Sequence, residues 1–409
     1  MKTRILGLVM AKDEWPTLGI AITHALRIGL DHVAVLNHGS ADDTQTGLQL
    51  LAERFPGQIS IYYSDEISFH QEVMVTLLAK SACAESYDWV YVFDADEFLI
   101  LEGEKSLRDF LGGIPADFGA VRYEIRQWLA PSDFKPEVIS DLLRVVKRAL
   151  PSVFIPKSSE LVTPLVEMSR LNFFDLTFES KLIIRSEFIS VLSAGAHVVR
   201  AVNSPSEFVT PEHSIYVAHL PMRSRRQLEI KARQGEALVR FGFPPFHGWQ
   251  SQMLYRISQR SGLDEFWTRH SDSVADGKSV TGGPVTTEDL AFSREVSLSL
   301  KFSSGHTQPS NSLSGSKRAT RDFPDSSISL MVLRDAFSVR DDAVSNHSQI
   351  LHAFHGASSD RDRLQGDLTQ SLALLDEIRG SLSWRYTGWL RKISKMLGYN
   401  ASRKKLHSF

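Results

Sequence analysis

The first hundred residues alternate between two periodicities. Ile5-Leu6-Gly7-Leu8-Val9-Met10 is a short, continuously apolar run, the pattern of a strand buried on both faces. Residues 15–29 then place Leu18, Ile22, Ala25, Leu26 and Ile28 on one side of a helix. His32 to Asn37 predicts a second strand, and the polar turn from Gly39 to Asp43 leads into a helix through Leu48, Leu51, Ala52 and Phe55. Ile59 to Tyr63 predicts a third strand, 71–86 a helix, and Trp89 to Phe93 a fourth strand ending at Asp94. Strands and helices alternating at this spacing predict an α/β fold with a doubly wound, mainly parallel sheet.

Ligands of such sheets bind beyond the carboxyl ends of the strands. The polar residues after each predicted strand are therefore the first candidates. They are Lys12, Asp13 and Glu14, then Asn37 to Thr44, then Asp65 and Glu66, and finally Asp94, Asp96 and Glu97. Acidic clusters at four equivalent places exceed what scattered surface charge gives.

Beyond Gly119 the pattern is mixed. Ala120 to Ile125, Lys181 to Arg185 and Ala196 to Val199 predict short strands, around a segment with Pro131, Pro136, Pro151, Pro156 and Pro164, and a helix follows His219-Leu220-Pro221. Between about 272 and 329 the composition shifts to Ser, Thr, Gly and Asp, which reads as a flexible linker. Helical periodicity returns at Leu364, Leu368, Leu372, Leu375, Ile378 and Leu382. The expected organisation is a folded domain over 1–265, a largely disordered linker over 266–345 and a helical tail over 346–409.

Composition narrows the function. With 409 residues, 42% of them hydrophobic, and 23 Phe, the chain can bury a sizeable core. Its 46 basic and 48 acidic residues give a net charge of -2, so nucleic acid is not an expected partner. The single Cys83 excludes a disulfide framework and a Cys-based zinc site, fits a reducing compartment, and is itself expected as a small buried apolar residue. Met1-Lys2-Thr3-Arg4 followed by Ile5 to Ala11 imitates a signal peptide, but the apolar run stops at Lys12 without a small-residue cleavage site. No run reaches the ~18 apolar residues of a membrane span. The expectation is a cytoplasmic chain, at most peripheral on the inner face of the cytoplasmic membrane.

The tail suggests such an attachment. After Glu377 the charged residues are all basic, and Trp389, Ile393 and Leu397 form an apolar stripe among them, the pattern of an interfacial helix on an anionic membrane surface. A helix packed on a partner or on the folded domain is the alternative.

Two features carry chemistry. In Val92-Phe93-Asp94-Ala95-Asp96-Glu97 two carboxylates spaced i, i+2 at a strand's end can converge on one Mg²⁺ or Mn²⁺, which neutralises a diphosphate leaving group. An acidic loop capping the next helix is the plainer reading. Arg223, Gln227 and Lys231 recur every four residues, so on a helix they share a face whose start could meet an anion, with His219 just ahead. A solvated basic helix with a buried histidine is the alternative.

On these residues the chain resembles family 2-like bacterial glycosyltransferases of the GT-A fold, which carry an Asp-x-Asp motif at the end of a nucleotide-sugar binding sheet. Val9-Met10-Ala11-Lys12-Asp13-Glu14 resembles that family's first strand and Lys-Asn-Glu turn, with Asp13 in place of Asn. Asn37-His38-Gly39-Ser40-Ala41-Asp42-Asp43-Thr44 resembles its Asp-Asn-Gly-Ser-Thr-Asp-Gly-Thr turn, with Asn37 in place of Asp and Asp43 in place of Gly. His219-Leu220-Pro221-Met222-Arg223-Ser224, continuing to Gln227, Lys231 and Gly235, is similar to a signature of one bacterial branch, and Ser381 to Arg391 is similar to a segment ending bacterial surface-polysaccharide transferases. Leaving the tail aside, the resemblance covers about residues 4–262.

The resemblance implies a metal-dependent transfer of a sugar from a nucleotide diphosphate sugar to a saccharide or lipid-linked acceptor, in surface polysaccharide or glycan synthesis. It implies Asp13, Glu14, Asn37, Asp42, Asp94, Lys181, Arg185, Arg223 and Lys231 around the donor. Asp94, Asp96 and His219 would hold Mn²⁺ or Mg²⁺. An inverting enzyme needs a group to take the acceptor's proton, for which Glu124, Asp175, Glu179 and His197 are candidates. Two other readings stay open. A haloacid dehalogenase-type phosphatase also uses Asp-x-Asp after an apolar strand, though on its first strand, and a non-catalytic nucleotide- or glycan-binding module would need no turnover.

Overall fold

The computed structural model describes residues 2–64, 71–103, 106–151, 153–154, 162–197, 199–200, 205–211, 213–243, 245, 248–260, 262–272, 283–306 and 320–322. The chain divides into Met1–Leu333 and Arg334–Phe409, and every described residue lies in the first unit. The helical tail, its basic segment, Asp65 and Glu66 lie outside the described residues.

The N-terminal half is the expected alternation: β1 (Ile5–Ala11), α1 (Thr17–Ile28), β2 (His32–His38), α2 (Thr44–Arg54), β3 (Ile59–Ser64), α3 (Gln71–Ser81) and β4 (Trp89–Val92). Successive strand side chains feed two separate cores. Ile5, Val9, Val33 and Val35 pack with α1 and α2, while Leu6, Leu8, Ala34 and Leu36 pack with Met74, Val75 and Leu78 of α3. Burial on both faces is why these strands read as unbroken apolar runs.

The strands stand in the order β3-β2-β1-β4, all parallel. After β4 the chain turns through Asp94-Ala95-Asp96 into β5 (Glu97–Leu101), followed by α4 (Leu107–Gly112), β6 (Phe118–Leu129) and β7 (Lys147–Ala149). Short elements come next: β8 (Val153–Phe154), α5 (Thr163–Glu167), β9 (Leu176–Thr177), β10 (Lys181–Arg185), β11 (Val191–Leu192), β12 (Val199–Arg200) and β13 (Ser206–Val209). The described chain ends with β14 (Ile215–His219), α6 (Arg225–Arg240), α7 (Trp249–Arg260), α8 (Leu263–His270), β15 (Thr286–Glu288), α9 (Ala291–Ser304) and β16 (Thr320–Asp322). Antiparallel β10 joins β4 to β6, and β14 runs parallel to β6 and antiparallel to β5. The result is a mixed α/β fold with a mainly parallel sheet.

Several expectations are corrected. The helix expected over 71–86 stops at Ser81, because Cys83 adopts a left-handed φ of 52° and starts a separate 3₁₀ turn, Ala84–Ser86. Cys83 is exposed rather than buried. The strand expected over 196–199 shrinks to β12, preceded by a 3₁₀ turn at Ala194–Ala196.

The largest correction concerns the linker. Within the expected disordered stretch, β15 pairs with β7, and α9 lies on α1 with Phe292 and Val296 fully buried. Arg27 pairs with Glu295, and Arg54 Nη1 donates to Ser303 Oγ at 2.8 Å. The buried face of α9 is completed by Ser299 and Ser303, small residues that permit close approach but count as polar in composition. Phe292→Ala is expected to lower the unfolding free energy by about 3–5 kcal/mol in chemical denaturation, whereas a linker residue would leave it unchanged.

Two buried histidines tie this core together. On α1, His24 Nε2–H donates to the Leu99 carbonyl of β5 at 2.9 Å, and its Nδ1 accepts from Arg27 at 3.2 Å. His270 Nδ1–H donates to the Phe266 carbonyl at 2.7 Å, and its Nε2 accepts the Phe173 N–H at 3.1 Å. Burial pushes both imidazoles down from 6.5 to about 3, with Arg27 adding to the effect at His24 and the Phe266 bond opposing it at His270. Below pH 6.5 the unfolded chain binds protons that the folded chain refuses, so stability falls as pH drops through 6.5 toward about 3. Each histidine should contribute a slope of up to about 1.4 kcal/mol per pH unit. Denaturation curves between pH 7 and 5 should show it, and His24→Gln should remove one histidine's share.

Candidate functional site

A cavity of about 390 Å³ opens where the parallel strands end, the place the sheet topology favours for a ligand. Met10, Ala11, Lys12 and Glu14 reach it from the end of β1, His38 from β2, and Asp94 to Glu97 from the β4–β5 turn. Because β10 is antiparallel, its first residue, Lys181, arrives at the same edge, beside His197 and the last residue of β14, His219. Ile125, Phe178, Leu238, Phe241 and Phe243 form an apolar wall, with Lys231 and Gln234 of α6 above it.

The floor is held by two sets of charges. In the first, the buried Lys181 ammonium donates to Asp94 Oδ2 at 2.9 Å and to Glu97 Oε2 at 2.6 Å, and Glu97 Oε2 also accepts the Asp94 N–H at 3.1 Å. Glu97 is almost fully buried, whereas the Asp94 side chain is 39% exposed to the cavity side. Burial disfavours charge on all three groups. At Lys181 the two carboxylates outweigh it and raise the pKa, and at Asp94 the ammonium outweighs it and lowers the pKa. At Glu97 burial prevails over Lys181 and the pKa rises.

In the second set, Asp96 Oδ1 faces His219 Nε2 at 3.5 Å, Asp96 Oδ2 lies 3.8 Å from Arg223 Nη2, and Arg223 also bonds the Glu14 carboxylate. Burial works against the Asp96 charge, but His219 and Arg223 hold its carboxyl well below the usual range. Glu14 is pushed up by burial, which Arg223 only partly offsets.

The start of α6 sets the position of Arg223. Ser224 Oγ caps the helix by accepting the Gln227 N–H at 3.1 Å, and Gln227 Oε1 accepts the Arg223 N–H at 2.8 Å. Arg223 therefore precedes the helix and points at Glu14 and Asp96, rather than sharing a helix face with Gln227 and Lys231 as its spacing suggested. Lys231 alone of the three lines the cavity, with its ammonium 3.2 Å from the Pro221 carbonyl. Behind this wall a Cβ on Gly235 would lie 1.9 Å from the Ser251 carbonyl oxygen, so α6 and α7 meet backbone to backbone.

Other sequence candidates are placed elsewhere. Asn37 is fully buried, with Nδ2 donating to Gln45 at 2.7 Å and Oδ1 accepting the Ser40 N–H at 3.1 Å, so both ends of its amide shape the turn. Asp13, at a φ of 56°, accepts the Ala41 N–H at 2.6 Å, and Asp42 accepts the N–H groups of Trp15 at 3.2 Å and Thr44 at 2.9 Å. These two aspartates stitch the loops after β1 and β2 together and do not line the cavity.

Arg185 sits at the far end of β10, with its guanidinium 4.3 Å over Trp89 and its Nε donating to the Phe118 carbonyl at 2.8 Å. It does not line the cavity. Glu124 pairs with Arg126 on the face of β6 opposite Ile125, Glu179 lies in the loop before β10, and Asp175 caps a 3₁₀ turn by accepting the Asn172 N–H at 3.1 Å. Of the four proton-acceptor candidates, His197 lines the cavity, where burial and then Lys181 lower its pKa.

Glu97 is among the strand-end candidates of the sequence, but its bond to Lys181 was not expected, and Gln127 was not a candidate at all. The signal for Glu97 was its place directly after Asp96. Gln127 gave none, since a lone glutamine in a strand is unremarkable until its neighbour is known.

No family model matches the chain, and no curated protein matches it. Among solved structures it is similar to Staphylococcus aureus TarS residues 1–349, at 13% identity over 64% of this chain and 74% of that one, with a TM-score of 0.34. It is also similar to glucosyl-3-phosphoglycerate synthase from Mycobacterium tuberculosis, solved with Mn²⁺, uridine diphosphate and glucosyl-3-phosphoglycerate, at 16% identity over 59% and 81% of the two chains, with a TM-score of 0.27. A mycobacterial protein matches at 15% identity over 59% and 76%, with a TM-score of 0.29. These likenesses are remote, and the reading of the site rests on its own residues.

Removing one partner of a buried ion pair strands the other's charge. Lys181→Met should therefore lower stability by about 3–5 kcal/mol in urea unfolding. Adding Glu97→Gln to it should recover part of that loss rather than add to it.

Proposed function

We propose that this chain transfers a sugar from a nucleotide diphosphate donor to a saccharide or lipid-linked acceptor, with Mn²⁺ or Mg²⁺ as cofactor. The observation that carries the reading is the facing pair at the cavity floor, Asp96 Oδ1 and His219 Nε2, 3.5 Å apart. A carboxylate oxygen suits either ion, whereas an imidazole nitrogen is a poorer ligand for the hard Mg²⁺ than for Mn²⁺. Among the described residues no three His, Cys, Asp or Glu side chains form a group that could hold an ion, so any further ligands would have to come from the donor's own oxygens. The residues fit the ion in that sense, with Asp96 and His219 as its holders and Asp94 alongside.

When bound, the ion would supply charge to stabilise the departing diphosphate. The chain's own groups do the rest. Arg223 keeps Asp96 ionised and aimed, and Lys181 fixes Asp94. Lys12 and Lys231 line the cavity as cations for the diphosphate. Phe178, Phe241 and Phe243 offer faces for a sugar ring or an apolar aglycone. His197 is the remaining candidate to accept the acceptor's proton. The basic sequence beyond Glu377 would bring the enzyme to an anionic membrane surface on the cytoplasmic side.

The test is a thermal-shift screen of UDP-, GDP-, dTDP- and CMP-sugars with and without Mn²⁺. One donor class at 100-fold over its Kd should stabilise the protein by about 2.7 kcal/mol, only with metal, and Asp96→Asn should abolish the metal-dependent part. Equal stabilisation of wild type and Asp96→Asn would remove the metal role. Phosphate release from a generic ester without acceptor would replace the reading by a phosphatase. Absence of nucleoside diphosphate release across donors and acceptors would replace it by a binding module.

A further inference from the structure

Gln127 lies near the end of β6 and is only 5% exposed, yet neither its Nε2 nor its Oε1 has a hydrogen-bond partner among the described residues. A buried amide with both ends unpaired calls for an explanation. Its surroundings offer one. Along β6, Glu124, Arg126 and Trp128 share one face, where the Arg126 guanidinium lies 3.7 Å over Tyr216 and Trp128 stacks on the same ring. By strand alternation Ile125 and Gln127 share the other face, and Ile125 lines the cavity.

In the parallel β6–β14 register Gln127 stands directly beside His219, and neighbouring strands are about 4.8 Å apart. The outer ring nitrogen of His219, Nδ1, is also buried and has no partner among the described residues. Two complementary orphaned groups thus occupy adjacent positions on one face. The other ring nitrogen of the same histidine looks at Asp96.

We propose that Gln127 is a positioning residue for His219. Its Oε1 accepts the Nδ1–H, directly or through one water, which fixes the ring and turns the Nε2 lone pair toward Asp96 and the cavity. Without that anchor Nε2 can carry the proton and donate to Asp96, which closes the pair to any cation. A ligating histidine whose far nitrogen is held by an oxygen acceptor is a general arrangement. The proposal rests on the reading of His219 as a cation donor, and its first readout does not depend on it.

That readout is a long-range ¹H–¹⁵N spectrum of the full-length, ¹⁵N-labelled protein without metal, with the His219 signals assigned by their loss in His219→Gln. The wild type should show the Nδ1–H tautomer, and Gln127→Met should shift it to Nε2–H or a mixture. A wild-type Nε2–H tautomer overturns the proposal. The second readout is Mn²⁺ titration followed by electron paramagnetic resonance. Gln127→Met should weaken Mn²⁺ about 10–100-fold, while Gln127→Glu, which restores an acceptor, stays close to wild type.

Wild-type Mn²⁺ affinity in Gln127→Met, together with its loss in His219→Gln, overturns the positioning role and spares the metal site. Undiminished affinity in both Asp96→Asn and His219→Gln removes the metal site instead, and the tautomer then decides the Gln127–His219 bond by itself.

Discussion

The site depends on one buried ammonium. Lys181 enters at the first residue of an antiparallel strand and meets the β4–β5 turn, where Asp94 and Glu97 close on it at 2.9 and 2.6 Å. Taking an ammonium out of water is tolerable only because two carboxylates surround it. In return it fixes the turn that carries Asp96. The turn needs such a clamp because it sits where the chain leaves the parallel sheet and begins pairing with β14, whose backbone supplies little else to it. One further bond, from the Leu220 N–H to the Asp96 carbonyl at 3.0 Å, completes the attachment.

The charge balance around this turn explains its chemical bias. Glu14, Asp94, Asp96 and Glu97 bring four carboxylates together, and Lys181 and Arg223 are the two buried cations among them. With all four ionised, the two buried cations leave two negative charges, which Lys12 and Lys231 at the cavity wall offset in part. The upward displacement of Glu14 and Glu97 by burial is the protein's other way of relieving the same surplus. Glu14, the β4–β5 turn, Lys181 and Arg223 come from four separate parts of the chain, so the arrangement is a property of the fold and not of any one loop.

The sheet was legible because burial on both faces writes itself as unbroken apolar runs in β1, β2 and β4. The position of the Asp-x-Asp turn was legible because it follows the apolar run of β4 directly, whereas its pairing with Lys181 was not. Other positions were not. Asn37 and Asp42 have the composition of a ligand-binding turn, but an amide and a carboxylate serve equally well to satisfy backbone N–H groups, and only the hydrogen-bond partners distinguish the uses. Arg185 looked like a partner of Lys181, yet four residues along a strand carry it about 13 Å away, to the opposite edge of the sheet. The helix α9 was concealed by serine, whose small side chain packs closely while its hydroxyl returns to the helix backbone, as Ser299 does to the Glu295 carbonyl at 2.7 Å. Gln127 is meaningful only through the strand beside it, and strand neighbours across ninety residues cannot be read from a single chain.

The docking of α9 on α1 has a consequence for biosynthesis. Arg27 and Glu295 are 268 residues apart, so α1 emerges from the ribosome long before the surface that covers it exists. At about 5–20 residues per second the interval is roughly 15–50 s. Throughout it the apolar flank of α1 and the back of β5 stay unsheltered, open to chaperones or to the wrong neighbour. The helix α9 therefore acts as a closing wedge, and a nascent chain stalled before it would carry the whole cavity edge while its N-terminal core remained unsealed.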